Sequence, residues 1–335
     1  MTRYAAIDCG TNSLRLLIAE EHNGKVKDII RMMEIIRLGQ GVDATGRLNP
    51  AAIERARVVL HKYVQLMKQE RVRDVRMVAT SATRDASNKD DFFRMTAQLL
   101  GTIRPGAVAE VISGQEEAKL SFIGAVADLS DEPGPYCVMD LGGGSTEFVV
   151  GTADGQLLGA HSAQMGCVRL TERVMRSDPP TTTEIEIAND QVGEILEQLP
   201  SLVPIAQAKT FVGCAGTFTT IAALALGLEE YDPRAIHDCR LRFDALRVLT
   251  KHLITITSAE RRANPVVHPG RADVIAGGAV VVNGILDMIE TQAGVNDMVI
   301  SEKDILDGII AELIADDRAA QAVRKASVDI QTTTT

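Results

Sequence analysis

Two duplicated α/β lobes facing a central cleft are the fold that this sequence predicts. Three observations predict it: the length, an internal repeat, and the alternation of strand-like with helix-like segments. The chain has 335 residues, and at roughly 150 residues per domain two domains are expected. Residues 4–19 read YAAIDCGTNSLRLLIA and residues 136–151 read YCVMDLGGGSTEFVVG, so that Tyr4/Tyr136, Asp8/Asp140, Gly10/Gly142 and Ser13/Ser145 fall in register 132 positions apart. In each copy an apolar, strand-forming run ends in Asp, a small polar turn follows, and a second apolar run returns. That is the pattern of a β-hairpin.

The remaining elements follow in order. Asn49-Pro50 forms a cap and first-turn pair for a helix to about Gln69, with Ile53, Val58, Leu60, Val64 and Leu66 as buried candidates. A strand over 74–80, a helix over 89–100 and a strand over 107–112 come next. Ser113-x-x-Glu116 is a capping box opening a helix to about Ala127. After the second hairpin, a strand over 156–161 and helices near 167–175, 183–199, 243–255 and 272–289 are expected, with a strand over 209–212 running into a helix from Thr217. A strand over 297–300 precedes a last helix, Lys303 to Ala315. Alternating strands and helices imply α/β.

Composition narrows the function. Hydrophobic residues are 45% and charged residues 24%, ordinary globular values that argue against disorder. No apolar run approaches the roughly 18 residues of a spanning helix, and no signal-peptide pattern opens the chain, so a cytoplasmic protein without membrane contact is expected. The five cysteines, Cys9, Cys137, Cys167, Cys214 and Cys239, form no C-x-x-C and argue against a disulfide scaffold or zinc site. Cys9 and Cys214, beside the glycine clusters, are candidates for redox sensitivity. His161, His237 and His268 have no metal-ligand spacing and are read as structural. A net charge of −10 argues against nucleic-acid binding. The charge is divided, however: residues 1–125 hold 19 Lys and Arg against 15 Asp and Glu, a net of +4, and the remainder is net −14. A lobe that receives a polyanion accounts for that split.

The turns carry the chemistry. Gly10-Thr11-Asn12-Ser13 and Gly142-Gly143-Gly144-Ser145 are runs of small residues whose backbone N–H groups can surround an anion. One such loop alone is readily a tight turn; two in register suggest phosphate loops facing one cleft. Gly213, Gly216 and Thr217 form a third cluster where a strand passes into a helix N-terminus, which suits phosphate or packing alone.

The segments AAIDCGTNSLRLLIAE, ATSATRDASN, VISGQEEAKLSFIGA, VMDLGGGSTEFVVG, GCAGTFTTIAAL and PGRADVIAGGAVVVNGI occur in this order. Over residues 4 to about 310 the chain thereby resembles the exopolyphosphatase and guanosine pentaphosphate phosphohydrolase family, part of the actin, Hsp70 and sugar-kinase superfamily. The resemblance implies two duplicated ribonuclease-H-like lobes of the actin-like ATPase kind. The lobes are expected at 1–125 and 126–315, with the last helix able to pack back on the first lobe and a frayed tail over 316–335. The chain stops where longer members continue, which suggests a short member with only the catalytic lobes. Ala215 and Arg15 depart from the family pattern, where a small residue, often Gly, and a His are usual.

Hydrolysing a terminal phosphoanhydride needs charge neutralisation, an aligned water and a proton acceptor. Asp140 and Glu147, at the two ends of the second hairpin, are the expected ligands of Mg2+ or Mn2+, with Asp8 at the matching place in the first lobe. The resemblance points to Glu117, the second glutamate of ISGQEEAKL, as general base, and Glu116 belongs to the capping box. Ser145 is expected to orient water or phosphate. Substrate is expected to meet Asn12, Ser13, Gly142, Gly143, Gly144, Gly213, Gly216 and Thr217, with Arg84, Arg271 and Arg15 supplying guanidinium forks. The expected activity is Mg2+-dependent removal of terminal orthophosphate from inorganic polyphosphate, with short chains favoured. Guanosine pentaphosphate hydrolysis and a non-catalytic sensor are the alternatives, and a homodimer is the family-level expectation.

Overall fold

The computed structural model describes residues 2–129 and 131–333; for 325–333 it describes the backbone. The first lobe is built on β1 (Thr2–Cys9), β2 (Ser13–His22), β3 (Lys25–Ile35), β4 (Asp74–Ala79) and β5 (Glu110–Val111), in the spatial order β3-β2-β1-β4-β5. The first three strands are antiparallel neighbours, and β4 and β5 continue the sheet in parallel with β1. Ala5, Ala6 and Ile7 of the central strand are wholly buried, as a strand covered on both faces requires. No period-2 pattern marks β3, because Lys25, Lys27, Asp28 and Arg31 interrupt it. It is an edge strand, where charge blocks the addition of a stray strand.

The first-lobe helices are α1 (Val42–Thr45), α2 (Pro50–Gln69), α3 (Ser81–Asp85), α4 (Asp90–Leu100) and α5 (Gly114–Ala125). Asn49 Oδ1 accepts the Ala51 N–H at 2.9 Å and starts α2. Its buried stripe is Ala52, Ala56, Leu60, Tyr63, Val64 and Met67. Val58, expected inside, is 56% exposed; it lies two residues from both Ala56 and Leu60, a spacing that faces away from them.

The second lobe carries β6 (Tyr136–Leu141), β7 (Thr146–Gly151), β8 (Leu157–Ala163), β9 (Thr210–Cys214), β10 (Cys239–Arg242) and β11 (Asp297–Ile300), in the order β10-β11-β9-β6-β7-β8. Without the edge strand β10, order and directions repeat the first sheet. Its helices are α6 (Cys167–Arg173), α7 (Thr182–Leu202), α8 (Ala215–Ala225), α9 (Pro233–Ile236), α10 (Phe243–Thr255), α11 (Ser258–Ala263), α12 (Ile275–Ala293) and α13 (Ile305–Thr333). Among them α12 is buried along most of its length and centres the larger core. No helix among the described residues is long and apolar enough to cross a membrane.

Two helices join the lobes. Ile305, Leu306, Ile309, Ile310 and Ile314 of α13 pack on Tyr4, Ala6, Leu17 and Val78 of the first sheet. Ala118, Phe122 and Ala125 of α5 pack on Tyr136, Val138 and Val149 of the second. The two cross with backbones in contact: an added Cβ would lie 1.8 Å from Asp304 O at Gly124 and 2.0 Å from Leu120 O at Gly308. Helix α13 also runs past Ala315, through the segment expected as a tail. The Ala-, Arg- and Gln-rich continuation favours helix, and its start is anchored where Tyr4 Oη donates to Asp317 Oδ2 at 2.7 Å and Arg318 pairs with Glu21 at 2.9 Å. Thr334 and Thr335 lie outside the described residues.

Candidate active site

The two hairpin turns are built alike. In the first, Gly10 N–H donates to Ser13 O at 3.0 Å; in the second, Gly142 N–H donates to Ser145 O at 3.0 Å. In each hairpin an aspartate stands directly across the strand pair from the residue seven positions on: Asp8 faces Arg15, and Asp140 faces Glu147. The turns meet between the lobes. A Cβ on Gly144 would lie 2.5 Å from Ser81 Oγ and 2.8 Å from Thr11 Oγ1, so only glycine lets the loops approach this closely.

Between them lies a narrow chamber of about 80 Å3. Asp8, Asn12, Ser13, Arg15, Glu117, Asp140, Gly142, Gly143, Gly144, Ser145, Gly216, Thr217 and Arg271 all line it, which brings most of the expected site together. Glu147 and Arg84 do not reach the wall; they stand behind Asp140 and Glu117. Gly213 is separate, for its missing side chain makes room for the Phe218 ring, 2.8 Å from where a Cβ would be. This is the packing alternative for that glycine. Gly216 does border the chamber, with the Arg271 guanidinium carbon 2.1 Å from the position of an added Cβ. Ala215, between them, has φ +66°, a left-handed conformation that favours glycine.

Three buried carboxylates line the chamber, and a fourth, Glu147, stands behind Asp140. Asp8 is 5% exposed, Glu117 8%, Asp140 7% and Glu147 1%. Burial pushes all four upward. Glu117 is raised to about 7, with Arg84 opposing, and Asp140 to about 6. Glu147 is raised well above the carboxylate range by burial and by the nearby Glu117 and Asp140. Asp8 is raised less freely, because Arg15 donates to its Oδ2 from Nη2 at 2.7 Å and from Nε at 2.9 Å. Its Oδ1 is buried without a partner. Asp140 accepts from Ser121 at 2.6 Å, and Glu147 from Ser162 at 2.7 Å and from Ser145.

Among the described residues no three His, Cys, Asp or Glu side chains form a ready-made metal cage. Asp140 and Glu147 instead offer two hard oxygen donors on one face of a hairpin. That set fits Mg2+, which keeps several waters and takes one or two protein carboxylates. The unpartnered Asp8 oxygen adds negative potential on the same side.

The three arginines differ in how they are engaged. Arg15 is clamped between Asp8 and Asp304. Arg84 Nη1 donates to Glu117 Oε2 at 2.6 Å and to Ile112 O at 3.0 Å, and its Nη2 is buried without a partner. Arg271 has no carboxylate partner among the described residues and borders both the chamber and a second cavity of about 400 Å3. The second cavity is lined largely by apolar groups, among them Met32, Met33, Pro265 and Val266, with Tyr231 and His268.

Some expectations are corrected. Ser113 Oγ accepts the Glu116 N–H at 3.1 Å, but the Glu116 carboxylate does not return to close the capping box; it accepts from Arg76 Nη2 at 2.6 Å. Cys9 and Cys214 are strand-end residues, at most 1% exposed, and burial holds their thiols well above the usual range, so they are poor thiolates. Residues not named as substrate contacts also line the chamber: Thr11, within the first glycine turn, and then Thr80 and Ser81. The last two lie in ATSATRDASN, where the signal was present.

The sequence pattern of the Ppx/GppA phosphatase family matches residues 17–314. A protein of Mycobacterium tuberculosis described as exopolyphosphatase 2 is 50% identical over 317 residues, which cover 93% of this chain and 99% of that protein. The crystal structure of an exopolyphosphatase-like protein superposes with a TM-score of 0.86 at 40% identity, covering 93% of this chain and 98% of the other. The Aquifex aeolicus member of the Ppx/GppA family superposes with a TM-score of 0.77 at 31% identity, covering 94% and 98%.

Proposed function

From the premise that the chain belongs to the Ppx/GppA phosphatase family, we propose that it is an exopolyphosphatase, hydrolysing the terminal phosphoanhydride of inorganic polyphosphate and releasing orthophosphate. The observation that carries this reading is the chamber itself: two glycine-turn hairpins, buried carboxylates and the unpaired Arg271 converge on a space of about 80 Å3, enough for one phosphoryl group.

In this reading the backbone N–H groups of Thr11–Ser13 and Gly143–Ser145 surround the terminal phosphoryl group, and Arg271 takes oxygens of the next phosphate. Glu117, raised to about 7 by burial, accepts the proton of the attacking water, since a base near the working pH is the effective one. Arg84 holds that carboxylate in place, and Ser145 orients the phosphoryl oxygen or the water. Asp140 and Glu147 would hold Mg2+ or Mn2+, which supplies charge neutralisation on the transferred group. A homodimer and a cytoplasmic location belong to the same reading.

Short chains are the proposed preference, because Arg271 leads to a cavity walled mainly by apolar groups, whose other arginines, Arg15 and Arg31, are already paired with aspartates. The same cavity favours one second reading: a nucleoside attached to the phosphates, as in guanosine pentaphosphate, would be seated there. A phosphate-release assay on tripolyphosphate, long polyphosphate, guanosine pentaphosphate and ATP separates these. Release from the inorganic chains supports the first reading and release from guanosine pentaphosphate alone supports the second. Tight binding without release would mark a sensor and overturn both.

A further inference from the structure

One helix takes the carbonyls of all three glycines of the second loop. The α6 N–H of Cys167 donates to Gly142 O at 3.1 Å, and those of Val168 and Arg169 donate to Gly143 O at 2.9 and 3.0 Å. Arg169 Nε donates to Gly144 O at 2.6 Å. In a planar trans peptide the N–H points opposite to the C=O. With these carbonyls turned toward α6, the N–H groups of Gly143, Gly144 and Ser145 are directed away from it, toward the chamber.

The Arg169 guanidinium reaches further. Its Nη2 lies 2.6 Å from Asp85 Oδ2 and 3.4 Å from Ser81 Oγ, and its Nη1 pairs with Asp43. Ser81 and Asp85 are the two ends of α3, the single turn that carries Arg84, and Arg84 holds Glu117 at 2.6 Å. The Arg169 side chain is 11% exposed and borders neither the chamber nor the second cavity. One guanidinium of the second lobe thus ties the loop that would cradle phosphate to the first-lobe turn that braces the base.

We propose that Arg169 is a positioning residue for the hydrolysis: it sets the spacing between the Gly142–Ser145 loop and α3 without touching substrate. The inference rests on the proposed hydrolysis for its catalytic consequence and on the contacts alone for its geometry. Arginine is required because its planar fork serves four acceptors on two lobes, whereas a lysine ammonium is one compact point. The effect belongs in the rate for bound substrate more than in affinity, since many N–H groups and Arg271 hold the anion whereas alignment governs reaction.

The test is single-turnover hydrolysis of tripolyphosphate by wild type, Arg169→Lys, Arg169→Met, Asp85→Asn and the Arg169→Met/Asp85→Asn double variant. The first-order constant for bound substrate does not depend on the folded fraction, so a purely structural role would lower amplitude only. Misplacement by about 1 Å can cost about 10²-fold, and that loss is expected in Arg169→Met. About tenfold is expected in Arg169→Lys and Asp85→Asn, with half-saturation changed less than about threefold, and little further loss in the double variant, as for partners in one interaction. A constant in Arg169→Met within about twofold of wild type, or losses that multiply in the double variant, overturns the proposal. If Arg169→Met does not fold, Asp85→Asn decides alone, and a constant within about twofold of wild type there overturns the proposal in the same way.

A second readout separates this from failure of the hydrolysis itself. Spin labels on Val58→Cys and Val248→Cys, exposed positions on different lobes, report the inter-lobe distance in a Cys239→Ser background. A narrow distribution that broadens or shifts in Asp85→Asn and Arg169→Met supports the tie even if wild type cleaves no phosphoanhydride. An unchanged distribution in both variants of such an inactive protein overturns it.

Discussion

Arg15 and Glu147 occupy the same position in two copies of one hairpin, and they differ in the sign of their charge. Each lies directly across its strand pair from an aspartate, Asp8 for Arg15 and Asp140 for Glu147. Directly opposed residues on one sheet face interact at short range, so the first hairpin neutralises itself and the second concentrates negative charge. The duplicated fold therefore keeps one copy as scaffold and leaves the other in need of a cation. That division favours Asp140 and Glu147 over Asp8 as the proposed metal site.

Removing the arginine should expose its structural share. Arg15 is held by Asp8 and Asp304, whose side chains are 7% and 5% exposed, and breaking a buried pair from one side costs about 3–5 kcal/mol. Arg15→Met is expected to lose that much in urea unfolding at pH 7.5, and less at lower pH, because burial already raises Asp8 and removing Arg15 lets it protonate more readily. A loss below about 1 kcal/mol at pH 7.5 would mean that the arginine is dispensable to the fold.

Adjacent glutamates should behave oppositely. Glu117 faces the chamber, and Glu116 faces away to Arg76. Glu117→Gln keeps shape but cannot take a proton at neutral pH, so the single-turnover rate is expected to fall by about 10²–10⁴, with polyphosphate binding unchanged or tighter. Glu116→Gln weakens a half-exposed ion pair worth at most about 1 kcal/mol and should keep most activity. An active Glu117→Gln would remove the general-base assignment.

How far the sequence carries can be read from these residues. The Asp8/Asp140, Gly10/Gly142 and Ser13/Ser145 repeat is legible because a hairpin is local: its register follows from its own turn. The chamber is legible for the same reason, being made of turns. What is not legible depends on distant partners. Arg15 reads as a phosphate ligand until Asp304, 289 positions on, is found against it. Glu116 satisfies a capping-box pattern, yet Arg76 on β4 outcompetes the N–H it would have bonded. Gly213 looks like its neighbour Gly216, and only the fold shows a phenylalanine ring beneath one and a guanidinium beside the other. Strand β3 is hidden because an edge strand carries charge where a strand buried on both faces is a continuous apolar run.

The crossing of α5 and α13 predicts a sharp contrast between two glycines. Gly308→Ala would set a methyl group 2.0 Å from Leu120 O, a backbone atom that cannot step aside, and the expected cost is about 3 kcal/mol or more. Gly193→Ala in α7 meets nothing within 4 Å, and there alanine should gain about 0.5–1 kcal/mol through helix propensity. Chemical unfolding of both variants checks this; equal effects would mean that the helices do not cross this closely.

The carboxylate cluster, finally, predicts an unusual dependence of stability on pH. Glu117 is raised from 4.5 to about 7 and Asp140 from 3.8 to about 6, and they titrate as a coupled set with Glu147. Between those values the folded protein holds protons that the unfolded chain has released. Stability must therefore fall as pH rises through that window. Carboxylates shifted the other way, such as Glu184 at about 2, have finished titrating by pH 5 and do not mask it. Without divalent cation, the melting temperature is expected to drop between pH 5 and pH 7.5. A cation binds the ionised carboxylates and must displace their protons, so Mg2+ should raise the melting temperature more at pH 7.5 than at pH 5. Asp140→Asn should flatten both trends and lower the hydrolytic rate by at least about 10²-fold, several kcal/mol of transition-state stabilisation. A metal-free protein that grows steadily more stable up to pH 7.5, or a Mg2+ effect that persists undiminished in Asp140→Asn, would remove Asp140 from the metal site.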